Sequence, residues 1–230
     1  MRLPFLAVLA FAASPAIAGE NHYVLTLAGF PLGTLTVASE TTGRTYEANA
    51  RFLTAGLAGL LDYSFDGAVV GLIDAGGDRT PVHFTAASHS PRALRRTRID
   101  WTGGTPTSVV VDPPRDEAVD PADAAGALDP VSAFVGLFGD ATTAGACASE
   151  IAIFDGSRSV SLTIGSPVQV AGGFLCDGDY RRLGGEPLTS IDPPECPFQL
   201  LYKVLPDGRA ALEQVLIPTR FGKALVERTQ

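Results

Sequence analysis

Turn residues recur along this chain at intervals too short for a helical crossover, and that spacing decides its fold class. Gly29-Phe30-Pro31, Thr42-Gly43, Asp66-Gly67, Gly76-Gly77-Asp78, Gly103-Gly104, Asp155-Gly156 and Asp207-Gly208 punctuate it almost from end to end. Strand-like segments lie between them, at 23–27, 34–37, 45–52, 109–111, 149–153, 159–164, 168–183, 198–205, 210–217 and 221–226. In the second of these, Leu35 and Val37 share one face while Thr34 and Thr36 share the other, the period of two of a half-buried strand. Strands joined by such short turns pair antiparallel, because parallel neighbours need a crossover of about a dozen residues or more.

Two segments break the pattern. Residues 54–61 are small and apolar, and read either as one or two helical turns or as a strand bend, since glycine lowers helix propensity. The second is a helix over 129–139. Asp129 caps it, Pro130 suits its first turn and Gly139 stops it. Val131, Phe134, Val135 and Phe138 fall at i, i+3, i+4 and i+7 and form one apolar stripe. So short a helix is unstable alone and must dock on something, and nearly everything else is strand. The expected fold is therefore mainly β: an antiparallel, strongly curved sheet or open barrel wrapped around one short helix. With those four side chains pointing inward, Phe134→Ala should cost about 3–5 kcal/mol. The stretch 112–129 before the helix carries six acidic residues and one arginine, and reads as a solvated, mobile connector.

The first eighteen residues carry an address. Arg2 precedes the apolar run 5–13, Ser14-Pro15 breaks it, and Ala16-Ile17-Ala18 is a small-x-small cleavage pattern before Gly19. This is the layout of a secretory leader, cleaved after Ala18, with 19–230 as a single β-rich periplasmic or secreted domain. The run is far shorter than the roughly 20 residues that span a bilayer, so no transmembrane segment is expected after cleavage. Loss of Arg2 makes a chain of net charge −8 more acidic still, which opposes nucleic-acid binding.

The order and spacing of several segments carry a resemblance. They are 23–37 with its central Gly29-Phe30-Pro31-Leu32-Gly33, Tyr63-Ser64-Phe65-Asp66-Gly67, Ser90-Pro91-Arg92, and Leu128-Asp129-Pro130-Val131-Ser132-Ala133. Phe154-Asp155-Gly156-Ser157-Arg158, Asp179-Tyr180-Arg181-Arg182 and Pro218-Thr219-Arg220-Phe221-Gly222 continue the series. Together they resemble the bacterial periplasmic family called domain of unknown function 3108 (DUF3108). The resemblance implies a secreted β-rich domain and transfers no catalytic residue. A curved sheet around a helix is also similar to lipoprotein-carrier half-barrels, an analogy of fold alone. The three cysteines, Cys147, Cys176 and Cys196, contain no C-x-x-C. In an oxidising compartment they make one disulfide and one leftover thiol. The family resembled has cysteines at positions like Cys147 and Cys176, which implies that pair, with Cys176–Cys196 as the alternative. Closing the first loop is worth about 3–4 kcal/mol in the chain-entropy model.

Motifs for catalysis are missing: there is no G-x-S-x-G and no H-E-x-x-H. His83 and His89 would stand about 20 Å apart on an extended strand, too far to share a metal, and no cofactor is implied. Arg92, Arg95, Arg96 and Arg98 are unusual in so acidic a chain. On one strand Arg92, Arg96 and Arg98 share a face with Leu94 and Asp100, while Arg95 joins Thr97, Ile99 and Trp101 on the other. The first three form either a solvated face paired with carboxylates or an anion patch for lipid head groups, glycan or an acidic partner. Leu57 of the 54–61 segment, with Phe134, Val135 and Phe138, is either core or the lining of a ligand groove. Three functions remain open. One is a non-catalytic carrier of an apolar or amphiphilic envelope molecule on a concave sheet face. Another is a structural or assembly factor contacting an envelope protein. The third is a hydrolase whose paired carboxylates meet only in space.

Overall fold

The computed structural model describes residues 17–54, 62–91, 93–143, 145–187 and 193–229. The first wing is a meander of β1 (Ile17–Leu27), β2 (Phe30–Thr42), β3 (Thr45–Thr54), β4 (Ser64–Ile73), β5 (Arg79–Ser90), β6 (Ala93–Thr102) and β7 (Thr105–Asp112). A connector with one 3-10 turn, Pro121–Ala124, leads to helix α1 (Pro130–Phe138) and the short β8 (Ala141–Thr142). The second wing holds β9 (Ser149–Phe154), β10 (Ser159–Ile164), β11 (Val168–Val170), β12 (Gly173–Gly184), β13 (Glu195–Val204), β14 (Arg209–Thr219) and β15 (Gly222–Thr229). The wings join where β1 pairs with β15, from His22 opposite Thr229 to Leu27 opposite Ala224. Every ladder among the described residues is antiparallel, and the order runs β7-β6-β5-β4-β3-β2-β1-β15-β14-β13-β12-β10-β9. The expectation of a curved antiparallel sheet around one short helix holds. The sheet does not close, because its edge strands β7 and β9 are not paired with each other.

The connector occupies the gap between those edges. Gly126 N–H donates to Gly104 O at the β6–β7 hairpin, Leu128 exchanges bonds with Ala152 and Phe154 of β9, and Val119 N–H donates to Ser157 O. Ala124 and Ala127 are buried. The stretch is polar on its outside, as its composition requires, but its backbone is tied to both edges rather than free. The β6–β7 turn explains the Gly103-Gly104 pair: both residues have positive φ, as a tight two-residue hairpin demands. Gly67 has a different reason to be glycine. It was expected at a turn and lies inside β4, where a Cβ would come within 2.9 Å of Val131 Cγ2 and 2.7 Å of Phe65 Cζ. The glycine is there to let the helix approach the sheet.

Alternation along the strands builds the core beneath α1. On β3 the buried residues are Tyr46, Ala48 and Ala50, with exposed neighbours between them. Val131, Ser132, Ala133, Val135, Leu137 and Phe138 are all buried, so the helix is enclosed on more than its apolar stripe. Its polar termini are therefore also inside the protein and need partners. At the N-terminus Asp129, fully buried, accepts from Val131 N (2.8 Å) and Ser132 N (3.0 Å). Its other oxygen meets the Ser132 hydroxyl, which in turn lies 2.6 Å from the Tyr46 hydroxyl. At the C-terminus Phe138 O accepts from the Tyr23 hydroxyl (2.8 Å) and Asn21 Nδ2 (3.0 Å), while Leu137 O takes a long bond of 3.5 Å from the Tyr202 hydroxyl. Burial pushes the Tyr46 and Tyr202 phenols up to about 12, so both keep the protons these bonds use. Cys147 and Cys176, both buried, sit at disulfide distance with Cα atoms 6.1 Å apart, whereas Cys196 is half-buried and outside that pair.

Burial raises the Asp129 carboxyl to about 6, against the pull of its hydrogen bonds from Ser132 and Val131. An unfolded Asp titrates near pH 4. Between about pH 4 and pH 6 the folded chain therefore holds a proton that the unfolded chain has released. This group's contribution is complete below about pH 4 and fades as pH rises through 6. Asp129→Asn keeps the cap and removes the titration. Urea midpoints from pH 4 to 7 should fall with pH for the wild type relative to Asp129→Asn. Parallel curves for the two proteins would contradict the buried carboxyl.

Candidate functional site

The side of α1 not enclosed by the sheet carries Phe134. Its ring is half-buried and makes edge contacts with Phe65 (6.3 Å) and Phe138 (6.0 Å). It faces a cavity of about 540 Å³, within the roughly 300–1,000 Å³ of small-molecule sites. The cavity has two chemically different ends. Central strands supply Leu25 (β1), Leu35 (β2), Phe52 (β3), Ile217 (β14) and Val226 (β15). The sheet edges supply Arg95 (β6), Arg115 (connector), and Asp155, Ser157 and Arg158 of the β9–β10 turn. Phe65 and Phe84 lie between. Two smaller hollows of about 280 and 290 Å³ adjoin it, one around Phe134 and Leu162, the other around Phe138 and Cys196.

The three arginines come from sites far apart in sequence. Asp155 organises the turn by accepting from Ser157 N (2.9 Å) and Arg158 N (2.7 Å), and its second oxygen accepts from Arg158 Nε at 2.7 Å. Burial works against the Arg158 charge, but Asp155 outweighs it and raises the guanidinium overall. Arg115 is held to Glu186 at 3.4 Å, and Glu186 also accepts from Asp116 N at 3.0 Å. Burial lowers Arg115, and the neighbouring Arg95 and Arg158 charges lower it further. Arg95 Nε donates to Pro113 O at 2.9 Å, and among the described residues no carboxylate pairs with it. Tyr63 completes this end. Burial raises its phenol, with Arg158, Asp155 and Arg115 all acting on it. Tyr63 is clamped to Thr54 through backbone and hydroxyl bonds of 2.8–2.9 Å.

A family model described as "Protein of unknown function (DUF3108)" matches residues 22–167. The chain belongs to the DUF3108 family. Among curated proteins and solved structures, none matches. The matched part of this DUF3108 chain includes Arg95, Arg115, Phe134 and Arg158, whereas Glu186, Ile217 and Val226 lie beyond it.

Of the residues expected to form a groove, Phe134 and Phe138 line the cavity of this DUF3108 protein. Val135 does not reach it: the residue is buried on the enclosed side of the helix. Leu57 lies outside the described residues, as does Arg92. Arg96 and Arg98 lie on the outer face of β6, where they share a shallow hollow with Asp66 and Asp112. That hollow carries both signs of charge, as a solvated face does. Arg95, on the inner face, is the described member of the cluster that reaches the cavity. The outer face also has a more open dish of about 610 Å³, lined by short side chains with Glu20, Glu40 and Glu47. His83 pairs with Asp100 at 2.6 Å, and the described residues contain no group of metal-binding side chains. None of their helices is long and apolar enough to cross a membrane.

The half-exposed Phe134 corrects the stability expected for it. Phe138 is nearly buried and stacks edge-on against Tyr23 at 4.9 Å. Phe138→Ala should cost about 3–5 kcal/mol, but Phe134→Ala only about 1–2 kcal/mol, since part of its ring already faces open space. Chemical denaturation of the two variants decides it. Equal losses would place Phe134 in the core rather than at the cavity wall.

Proposed function

We propose that this chain is an exported, soluble envelope protein that binds an apolar or amphiphilic molecule in the cavity beside α1, without catalysis. The observation that carries the reading is Phe134, a half-buried aromatic ring turned toward an apolar space of about 540 Å³ on a helix whose other large side chains are buried. Interiors pack with few voids larger than a water, and unfilled volume lowers stability. A space of this size, with arginines gathered at one end, fits a binding site better than a packing fault.

Two further observations support export. The buried β1 side chains Asn21 and Tyr23 lie downstream of the expected cleavage point, so removal of 1–18 leaves them in place. The pairing of Cys147 with Cys176 suits an oxidising compartment. The competing readings fare less well. An assembly factor would be expected to have a filled concave face. A paired-carboxylate hydrolase needs free carboxylates, whereas Asp129 is engaged by the helix cap and Asp155 by Arg158.

Titration with an acyl-chain fluorescent probe tests the binding claim. The wild type should take up one equivalent. Ala86→Phe, which adds a ring at a cavity-lining position of β5, should weaken uptake about tenfold or more without lowering the melting temperature. Uptake insensitive to Ala86→Phe would move binding away from this cavity. For export, the intact mass of the protein recovered from the cell envelope should correspond to a chain beginning at Gly19. A full-length chain in the cytoplasm would overturn the localisation.

A further inference from the structure

The polar end of the cavity says what kind of head group it would accept. Three guanidiniums, Arg95, Arg115 and Arg158, meet there. Asp155 satisfies Arg158 at 2.7 Å, and Glu186 partly satisfies Arg115 at 3.4 Å. Of the three, Arg95 is the one with no carboxylate partner among the described residues, in a protein whose net charge is −8. Arg115 is 11% exposed at its side chain, so its charge acts in a medium where Coulomb interactions are stronger than in water. Burial, then Arg95 and Arg158, disfavour the Arg115 charge, while Asp155 and Glu186 favour it, and the balance lowers it. An anion between Arg95 and Arg115 relieves the repulsion between those two.

We infer that the ligand is a single-chain amphiphile with a carboxylate head group, held by Arg95 and Arg115, its chain running along Phe134 toward Leu25 and Val226. This rests on the binding function proposed above and adds the ligand's charge and class. One guanidinium without a carboxylate partner matches a monoanion better than a dianionic phosphate. Guanidinium forks match carboxylate geometry with two parallel bonds. The volume fits as well. At about 30 Å³ for a group the size of a water, the cavity holds roughly 18 such groups, enough for one acyl chain and its head.

Isothermal titration of the mature protein with laurate, dodecanol, dodecyl phosphate and dodecyltrimethylammonium, each below its micelle concentration, tests this. Laurate should bind at least tenfold tighter than dodecanol, and dodecyltrimethylammonium weaker than either. Arg95→Met and Arg115→Met should each weaken laurate about tenfold, the loss of one charge-assisted bond, and affect dodecanol much less, so that the preference for laurate over dodecanol shrinks. Arg96→Met, on the other face of the same strand, should change neither. Equal affinity for laurate and dodecanol, or no effect of the Arg95 and Arg115 variants, would overturn the anionic head group while leaving the binding function intact. Tighter binding of dodecyl phosphate than of laurate would replace carboxylate by phosphate. Absence of binding by every one of the four would overturn both the inference and the function it rests on. If Arg115→Met fails to fold in a melting experiment, Arg95→Met and the four-ligand series on the wild type still decide.

Discussion

A nine-residue helix whose ends are buried stands only if those ends are satisfied, and here side chains from both wings of the sheet do this. Tyr23 and Asn21 of β1 reach Phe138 O, Tyr202 of β13 reaches toward Leu137 O, and Tyr46 of β3 meets the Ser132–Asp129 cap. Each unmade bond of this kind costs about 1–3 kcal/mol. The helix is thus pinned at both ends to strands that sit on opposite sides of the β1–β15 seam. A flat sheet cannot bring those hydroxyls to one helix, so the contacts and the curvature stabilise each other. Register shifts in the β1–β2, β4–β5, β6–β7 and β13–β14 ladders add the local twist that such bending needs.

The cavity is a consequence of the same arrangement. With α1 held by its ends, the space beside Phe134 cannot collapse without breaking the tyrosine contacts. The open edges of the sheet meet the connector on that side, and there the chain places its inward arginines. An amphipathic space results: apolar where the central strands face it, cationic where the edges do. Its charge runs against that of the whole protein, so the selection of a ligand would be local and would owe nothing to long-range steering.

Much of this was legible in the sequence where the signal was local. Asp129-Pro130 and the i, i+3, i+4, i+7 stripe mark α1 to the residue, and period-two alternation put Arg95 on the face opposite Arg96 and Arg98. Alternation does not say which face is concave, so it does not single out Arg95 as the arginine that faces the cavity. Arg115 sits among acidic residues in a stretch whose composition reads as solvated. Only the pairing of Leu128 and Val119 with the far wing brings it inside. Tyr23, Tyr46 and Tyr202 fit strand patterns as apolar residues, and nothing nearby in sequence marks their hydroxyls as helix caps. Gly67 looks the same in sequence whether it makes a turn or makes room for Val131.

On the binding function proposed above, the site that the pinned helix holds open is filled in the living cell. Native mass spectrometry of the protein, purified without detergent from the cells that make it, tests this most directly. The expected spectrum is that of a one-to-one complex that releases a single-chain anionic lipid on activation. A protein that emerges bare, or carrying a neutral or cationic passenger, would contradict it.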